Sequence, residues 1–248
     1  MSEPLVTVII AAKDPDARLL GRCLYSFATL GCAARIQVLL VLSGSMPPLD
    51  GAATAAFESF DVVHTPARGV YAAYNAGIDT ARGRYALFFG IDDIALPGLD
   101  AVASRLEREP FDVYAAACYM QGKGIRQPSP DRRSLIKANW CQQSIFYALP
   151  RLAAKRFDTR YPIQADHKLN IDIVANASSR IGISDELVAY FSFGGASSVQ
   201  HDLAFIRDFP GIVGAAYGRP LGLYCKWRQR LSVWRHGPLE QRYRNPGA

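Results

Sequence analysis

Between Gly83 and Gly90 the chain carries five apolar residues in succession, Tyr85, Ala86, Leu87, Phe88 and Phe89. A run of this kind cannot lie with one face in water. It reads as a strand buried on both faces, the setting of a parallel sheet covered by helices. A helical stretch from Gly69 to Ala81 leads into it, and two adjacent carboxylates, Asp92 and Asp93, follow it. Ligands of open α/β sheets bind outside the carboxyl ends of the strands, where a carboxylate pair is suited to a divalent cation and a phosphate. The alternative use of these two acids is to cap a helix starting near Pro97.

The first half repeats the same alternation. Leu5 to Ala12 is a β-branched run ended by Lys13 and Asp14, and Ile36 to Leu42 is a second buried run closed by Ser43, Gly44 and Ser45. Helical patterns are expected over 17–30, 52–60 and 69–81, and a short strand over 61–64. This βαβ order predicts a mostly parallel sheet with right-handed crossovers. Beyond Asp93 a helix is expected over 97–109, a strand over 111–120, a polar loop over the site from Gln121 to Arg133, a strand over 143–149, a helix over 165–175 and a last strand over 187–193. The reading is one mixed α/β domain over 1–216 with a tail over 217–248.

With 248 residues, half of them hydrophobic and one fifth charged, the composition is that of a globular protein with a full core. No run approaches the roughly 20 apolar residues of a membrane span, and MSEPLVTVII lacks the basic start of a secretory signal, so a cytoplasmic protein is expected. Five widely spaced cysteines without a CxxC pair argue against a disulfide framework or a zinc site. The net charge of +6 lies entirely in the tail: from Tyr217 onward there are seven Lys and Arg against Glu240, which leaves 21 of each sign before it. In that tail Tyr224, Trp227, Leu231 and Trp234 recur at helical spacing among basic residues. The pattern suits a helix lying at the inner face of an anionic membrane, or one that packs its aromatic face on the domain. No RRM, KH or helix-turn-helix signature accompanies the charge, so nucleic acid is not an expected partner.

Five ordered blocks carry a family likeness: VTVIIAAKD at 6–14, GVYAAYNAGIDTARGRYALFFGIDD at 69–93, CQQSIFY at 141–147, ADHKL at 165–169 and FGGASS at 193–198. In them the chain resembles family 2 glycosyltransferases, especially bacterial enzymes of colanic-acid, capsule and O-antigen synthesis. The resemblance implies a GT-A fold, a nucleotide-diphospho-sugar donor such as a UDP-sugar, Mn²⁺ or Mg²⁺, and inversion at the anomeric carbon. The acceptor it implies is a saccharide or a lipid-linked hydroxyl. A nucleotidyltransferase is the nearest alternative, but AAKDPDARLLG contains neither GxGxxG nor a P-loop. A sugar-nucleotide-binding protein that has lost catalysis is another.

The same resemblance distributes roles. Asp92 and Asp93 stand at the metal position, Asp92 also beside the donor diphosphate. Asp166 stands where the family has its catalytic carboxylate, and an aspartate at a helix start can take the proton of an attacking hydroxyl; the competing use is an N-cap. Ala11, Ala12, Asp14, Ser43, Arg68 and Asn75 fall around the nucleotide. Trp140, Gln142 and Gln143 fall beside the sugar or acceptor, although Trp140 can equally be core. Gly77 is read as a site of close helix packing, since glycine within a helix otherwise costs about 1 kcal/mol. Acids usual in the family are missing at Ser43, Ala72 and Gly90, and Gln142 replaces a histidine. Weak metal binding in the absence of donor is therefore expected.

Overall fold

The computed structural model describes residues 3–49, 51–192 and 202–242. Alternate residues of the apolar runs do face opposite ways. Strand β1 (Val6–Lys13) sends Val6, Val8 and Ile10 to one core and Ile9 to the other, and β4 (Tyr85–Phe89) divides into Tyr85, Leu87 and Phe89 against Ala86 and Phe88. β2 (Ile36–Ser43) pairs with β1 in parallel along its whole length, β1 pairs with β4, and β3 (Ser59–His64) extends the parallel half outward.

Helices cover both faces. On one side lie α1 (Ala17–Ala28), with Leu20, Leu24 and Phe27 inward, and α4 (Gly98–Arg108), with Leu99, Val102 and Leu106 inward. On the other lies α3 (Val70–Thr80), whose Tyr71, Tyr74 and Ile78 are buried with residues of α6 (Ala165–Val174). α2 is a single turn, Gly51–Thr54. The expected helix over 52–60 therefore stops early, because β3 begins at Ser59 to pair with Gln37 of β2.

Past β4 the sheet is mixed. β8 (Ile145–Ala148) enters antiparallel between β4 and β6 (Val113–Met120), and β6 pairs in parallel with β9 (Ile181–Phe191), which reaches the short β5 (Ile94–Ala95). The expected polar loop after β6 contains β7 (Gly124–Arg126), which folds back on β6 as a hairpin. α5 (Leu149–Ala154) follows β8. The described chain then resumes with α7 (Leu203–Tyr217), α8 (Arg219–His236) and the short α9 (Leu239–Arg242).

α7 packs against α6 through Phe205 and Phe209, both in ring contact with His167. α7 and α8 form a hairpin so close that a Cβ on Gly222 would lie 2.6 Å from the Gly214 Cα. The aromatic residues of α8 face away from this contact: Trp227 is 59% and Trp234 81% exposed, whereas Gly222 and Cys225 are buried. The domain boundary expected at 216/217 falls at the last turn of α7. No helix among the described residues is long and apolar enough to cross a membrane. All five cysteines are free, four of them buried.

Candidate functional site

The parallel strands β1, β2 and β4 end on one edge, and most of the expected site residues collect there. At the ends of β1 and β2, Ala11 and Ala12 pair with Val41 and Leu42, and the Asp14 N–H donates to the Ser43 carbonyl at 3.0 Å. Asp14 has φ +41°, a backbone region rarely occupied outside glycine. Its carboxylate accepts from the Ser45 N–H at 2.9 Å, locking the two strand ends together. Arg68 is exposed at the entry to α3. Asn75 is committed elsewhere, since its amide donates to the Phe157 carbonyl at 2.9 Å and accepts from the Phe157 N–H at 3.0 Å.

The turn after β4 carries the two aspartates in different environments. Asp93 is 1% exposed and accepts three N–H donors, from Gly90 (3.3 Å), Gln143 Nε2 (2.9 Å) and Ser192 (2.9 Å). Burial first, and the Asp92 charge with it, push its carboxyl up to about 7 against the pull of these donors. Asp92 is only half-buried, and its carbonyl is held by Arg22 Nη2 and Ser192 Oγ, each at 2.7 Å. Neither acid caps α4, whose N-terminus begins at Pro97 without a side-chain cap. Among the described residues no three His, Cys, Asp or Glu side chains converge as a metal cage. The donor set fits a hard divalent ion that takes one protein carboxylate, Asp92, and draws its other oxygens from a bound diphosphate and water.

Asp166 lies in the first turn of α6, where Gln164 is the N-cap. Its own partners are distant in sequence: Tyr71 OH donates to Oδ1 at 2.8 Å and Asn139 Nδ2 to Oδ2 at 2.7 Å. The packing around it pushes the carboxyl up to about 6, while the bonds from Tyr71, the His167 N–H and Asn139 hold it down. It is half-buried and borders a cleft of about 490 Å³ shared with Trp140, Ser134, Lys123 and Arg126. Trp140 is 8% exposed, and its Nε1, like Gln142 Nε2 and Ser134 Oγ, is buried without a hydrogen-bond partner among the described residues. The neighbouring His167 is buried, bonds the Leu135 carbonyl at 2.7 Å through Nε2, and is pushed down to about 4 by burial.

One segment joins the two acidic centres. Asn139 holds Asp166 and Gln143, four residues on, holds Asp93. Tyr71, Asn139, Ser192 and Arg22 were not among the expected site residues, although Tyr71 lies inside the block 69–93 that carries the resemblance. The block FGGASS lies outside the described residues.

The sequence model of glycosyl transferase family 2 matches residues 7–183. The chain belongs to this family. Relatives named PGL/p-HBAD biosynthesis glycosyltransferases come from Mycobacterium bovis and Mycobacterium tuberculosis; each is 31% identical over 243 residues, covering 94% of both chains. Among solved structures, S. aureus TarS 1-349 in complex with UDP-GlcNAc is similar with TM-score 0.69 at 14% identity, covering 96% of this chain and 77% of that one. The mannosyltransferase PcManGT from Pyrobaculum calidifontis, in complex with GDP-Man and Mn²⁺, gives TM-score 0.59 at 18% identity, with 96% and 77% covered. Against the longer TarS chain, this chain spans 44% of the length. The family 2 chain thus has the α/β architecture of GT-A glycosyltransferases, as the resemblance implied.

Proposed function

We propose that the protein transfers a sugar, with inversion, from a nucleotide-diphospho-sugar, a UDP-sugar, to a hydroxyl of a saccharide or lipid-linked acceptor in surface polysaccharide synthesis. The observation that carries this reading is Asp166, a carboxylate facing a 490 Å³ cleft with both oxygens held by neutral donors. An acceptor hydroxyl in the cleft gives its proton to Asp166 as its oxygen bonds to the anomeric carbon, and the bond from that carbon to the diphosphate breaks. The nucleoside lies along Ala11, Ala12, Asp14 and Ser43, with Arg68 near the diphosphate. Trp140, Gln142 and Gln143 border the sugar and acceptor. Asn75 and Gln143 act through what they hold, namely the Phe157 backbone and Asp93. A divalent cation, Mn²⁺ or Mg²⁺, would be held chiefly by Asp92 and would supply Lewis-acid stabilisation of the leaving diphosphate. Asp93, committed to three N–H donors, fixes the turn that carries Asp92.

The donor class is tested by thermal shift with UDP or GDP, each with and without Mn²⁺, since a ligand of the native state raises its apparent stability. A shift with UDP and Mn²⁺ is expected; a shift with GDP alone would overturn the UDP assignment. Release of UDP from a UDP-sugar with Mn²⁺ present tests catalysis. Binding without turnover would favour a protein that has lost catalysis, in keeping with the missing acids at 43, 72 and 90.

The tail, 217 onward, is proposed to rest on an anionic membrane at its cytoplasmic face. Support comes from the solvent-facing stripe Tyr224, Trp227 and Trp234, flanked by the exposed Lys226, Arg228, Arg230 and Arg235. Vesicles containing phosphatidylserine should sediment the protein, and Trp227→Ala with Trp234→Ala should abolish this. Equal sedimentation of the double variant would refute the contact.

A further inference from the structure

The hydrogen bonds around Asp166 start from a group whose direction is forced. The Trp140 backbone N–H, which can only donate, reaches Asn139 Oδ1 at 3.0 Å, and Asn170 Nδ2 reaches the same oxygen at 2.8 Å. Asn170 is oriented in turn: with its Nδ2 on the Asn139 oxygen, its Oδ1 faces Tyr147 OH, which donates to it at 2.6 Å. The Asn139 amide therefore has its oxygen occupied, and its Nδ2 must point at Asp166 Oδ2. It is a donor that cannot turn into an acceptor. Tyr71 differs. Its single hydroxyl proton lies between two acceptors at 2.8 Å, Asp166 Oδ1 and the Ile163 carbonyl. It can donate to an ionised Asp166, or turn to Ile163 and accept a proton carried on Oδ1.

We propose that Asn139, set by Trp140, Asn170 and Tyr147, is a positioning residue that keeps Asp166 in its proton-accepting form. Tyr71 OH serves both protonation states by turning between Asp166 and Ile163. This rests on Asp166 being the base of the reaction. The proton taken from the acceptor then goes to Oδ1, on the Tyr71 side, because Oδ2 faces a fixed N–H. Among the described residues, the ionisable groups around Asp166 are Tyr71 and Tyr74 on α3, Tyr147 on β8, His167 on α6, Lys123, Arg126 and Cys141 at the cleft wall, and Asp202, which accepts from the Ile163 and Gln164 N–H groups. The three tyrosines are pushed up by burial and His167 is pushed down, so all four are uncharged at neutral pH.

The test follows the ionisation of Asp166 directly, by ¹³C NMR of the full chain labelled at aspartate carboxyls, the Asp166 signal being the one missing from Asp166→Asn. The wild-type midpoint is expected near pH 6. Asn139→Ala, which removes a donor to the charged form, should raise it by about one pH unit. Asn139→Asp keeps acceptors for Trp140 and Asn170 but sets a second carboxylate against Asp166, and should raise it further. Tyr71→Phe should move it less than Asn139→Ala, since the lost hydroxyl served both states. Unmoved midpoints in both Asn139 variants, or a larger shift in Tyr71→Phe, would overturn the proposal. UDP release from UDP-GlcNAc with Mn²⁺, measured in wild type and Asp166→Asn, separates the two layers: if both release UDP equally, the base reading fails even where the midpoints move as stated.

Discussion

Gly21 and Gly77 both lie inside helices, and the same substitution should change stability in opposite directions at the two sites. In a helix interior, Gly→Ala is worth about 1 kcal/mol in favour of the folded state, largely because the unfolded chain loses freedom. At Gly21 in α1 a Cβ would meet nothing within 4 Å, so that gain should appear undiminished. At Gly77 in α3 the Cβ would lie 2.6 Å from Ile9 Cγ2 and 2.9 Å from Val41 Cγ2. Carbon atoms in good contact sit about 3.5–4.0 Å apart, so the overlap approaches 1 Å. Ile9 and Val41 are fully buried on β1 and β2, which are paired residue for residue, and neither can retreat cheaply. Overpacking of this kind costs about 1–3 kcal/mol; taken near its upper end and offset by the helix gain, it leaves a net loss of about 2 kcal/mol.

For a chain of this size each kcal/mol moves Tm by about 2–4 °C, so Gly77→Ala should melt about 4–8 °C below wild type and Gly21→Ala about 2–4 °C above it. Thermal denaturation followed by far-UV circular dichroism, without nucleotide, reads both. A neutral or stabilised Gly77→Ala would show that α3 does not press on the sheet as described. Since α3 carries Tyr71, relief of the overlap by lifting the helix should also lower turnover in this variant.

Three further outcomes are expected. Transfer should fall as pH drops below about 6, where Asp166 takes up its proton, and Asp166→Asn should abolish turnover while leaving UDP binding intact; near-normal turnover would remove Asp166 from the mechanism. Asp166→Asn should also be more stable than wild type at pH 8, by roughly 2 kcal/mol after allowance for partial exposure. The sign follows from a folded value near 6 against an ordinary 3.8: the group favours folding fully below 3.8 and loses that contribution as pH rises through 6, so the gap between the two proteins should close on acidification in urea titrations. A gap that widens at pH 4 would refute the assignment. Gly90→Ala would bring a Cβ within 2.6 Å of Asp92 Oδ1 and 2.9 Å of Asp93 Oδ2, and should weaken Mn²⁺ binding in the presence of UDP by about tenfold in calorimetry; unchanged affinity would show that Asp92 is not a metal ligand.

In the parallel half, β1, β2 and β4 were legible because they are buried on both faces and so read as unbroken apolar runs. β9 was legible only from Leu187 onward, since its first half includes the exposed Asp185 and Glu186 and lies at the far side of the sheet. The helix expected over 52–60 was cut short by a partner, β2, that no local pattern announces. Gly77 was read correctly as a packing contact, because a glycine in a helix has few other reasons to be there. At the site the sequence named carboxylates and amides but not their partners. An asparagine can hold a ligand or a backbone with the same two groups, and only the fold showed that Asn75 holds Phe157. Tyr71 and Asn139 reach Asp166 across 95 and 27 residues, distances over which no periodicity carries information.

What the structure adds beyond a list of partners is a mechanical link between the two halves of the centre. The segment from Asn139 to Gln143 grips Asp166 at one end and Asp93 at the other, and the same turn that carries Asp93 carries Asp92. Displacement of this segment therefore changes the proposed base and the proposed metal position together. Rigid coupling of this kind favours a reaction in which the hydroxyl must be deprotonated as the diphosphate departs, because the proton acceptor and the stabiliser of the leaving group are then held at a constant separation. It also means that Gln143→Ala, which releases Asp93 by removing one of its three N–H donors, should depress both UDP–Mn²⁺ affinity and turnover, whereas Asp166→Asn should depress turnover alone. Equal patterns in the two variants would show that the segment is not the link.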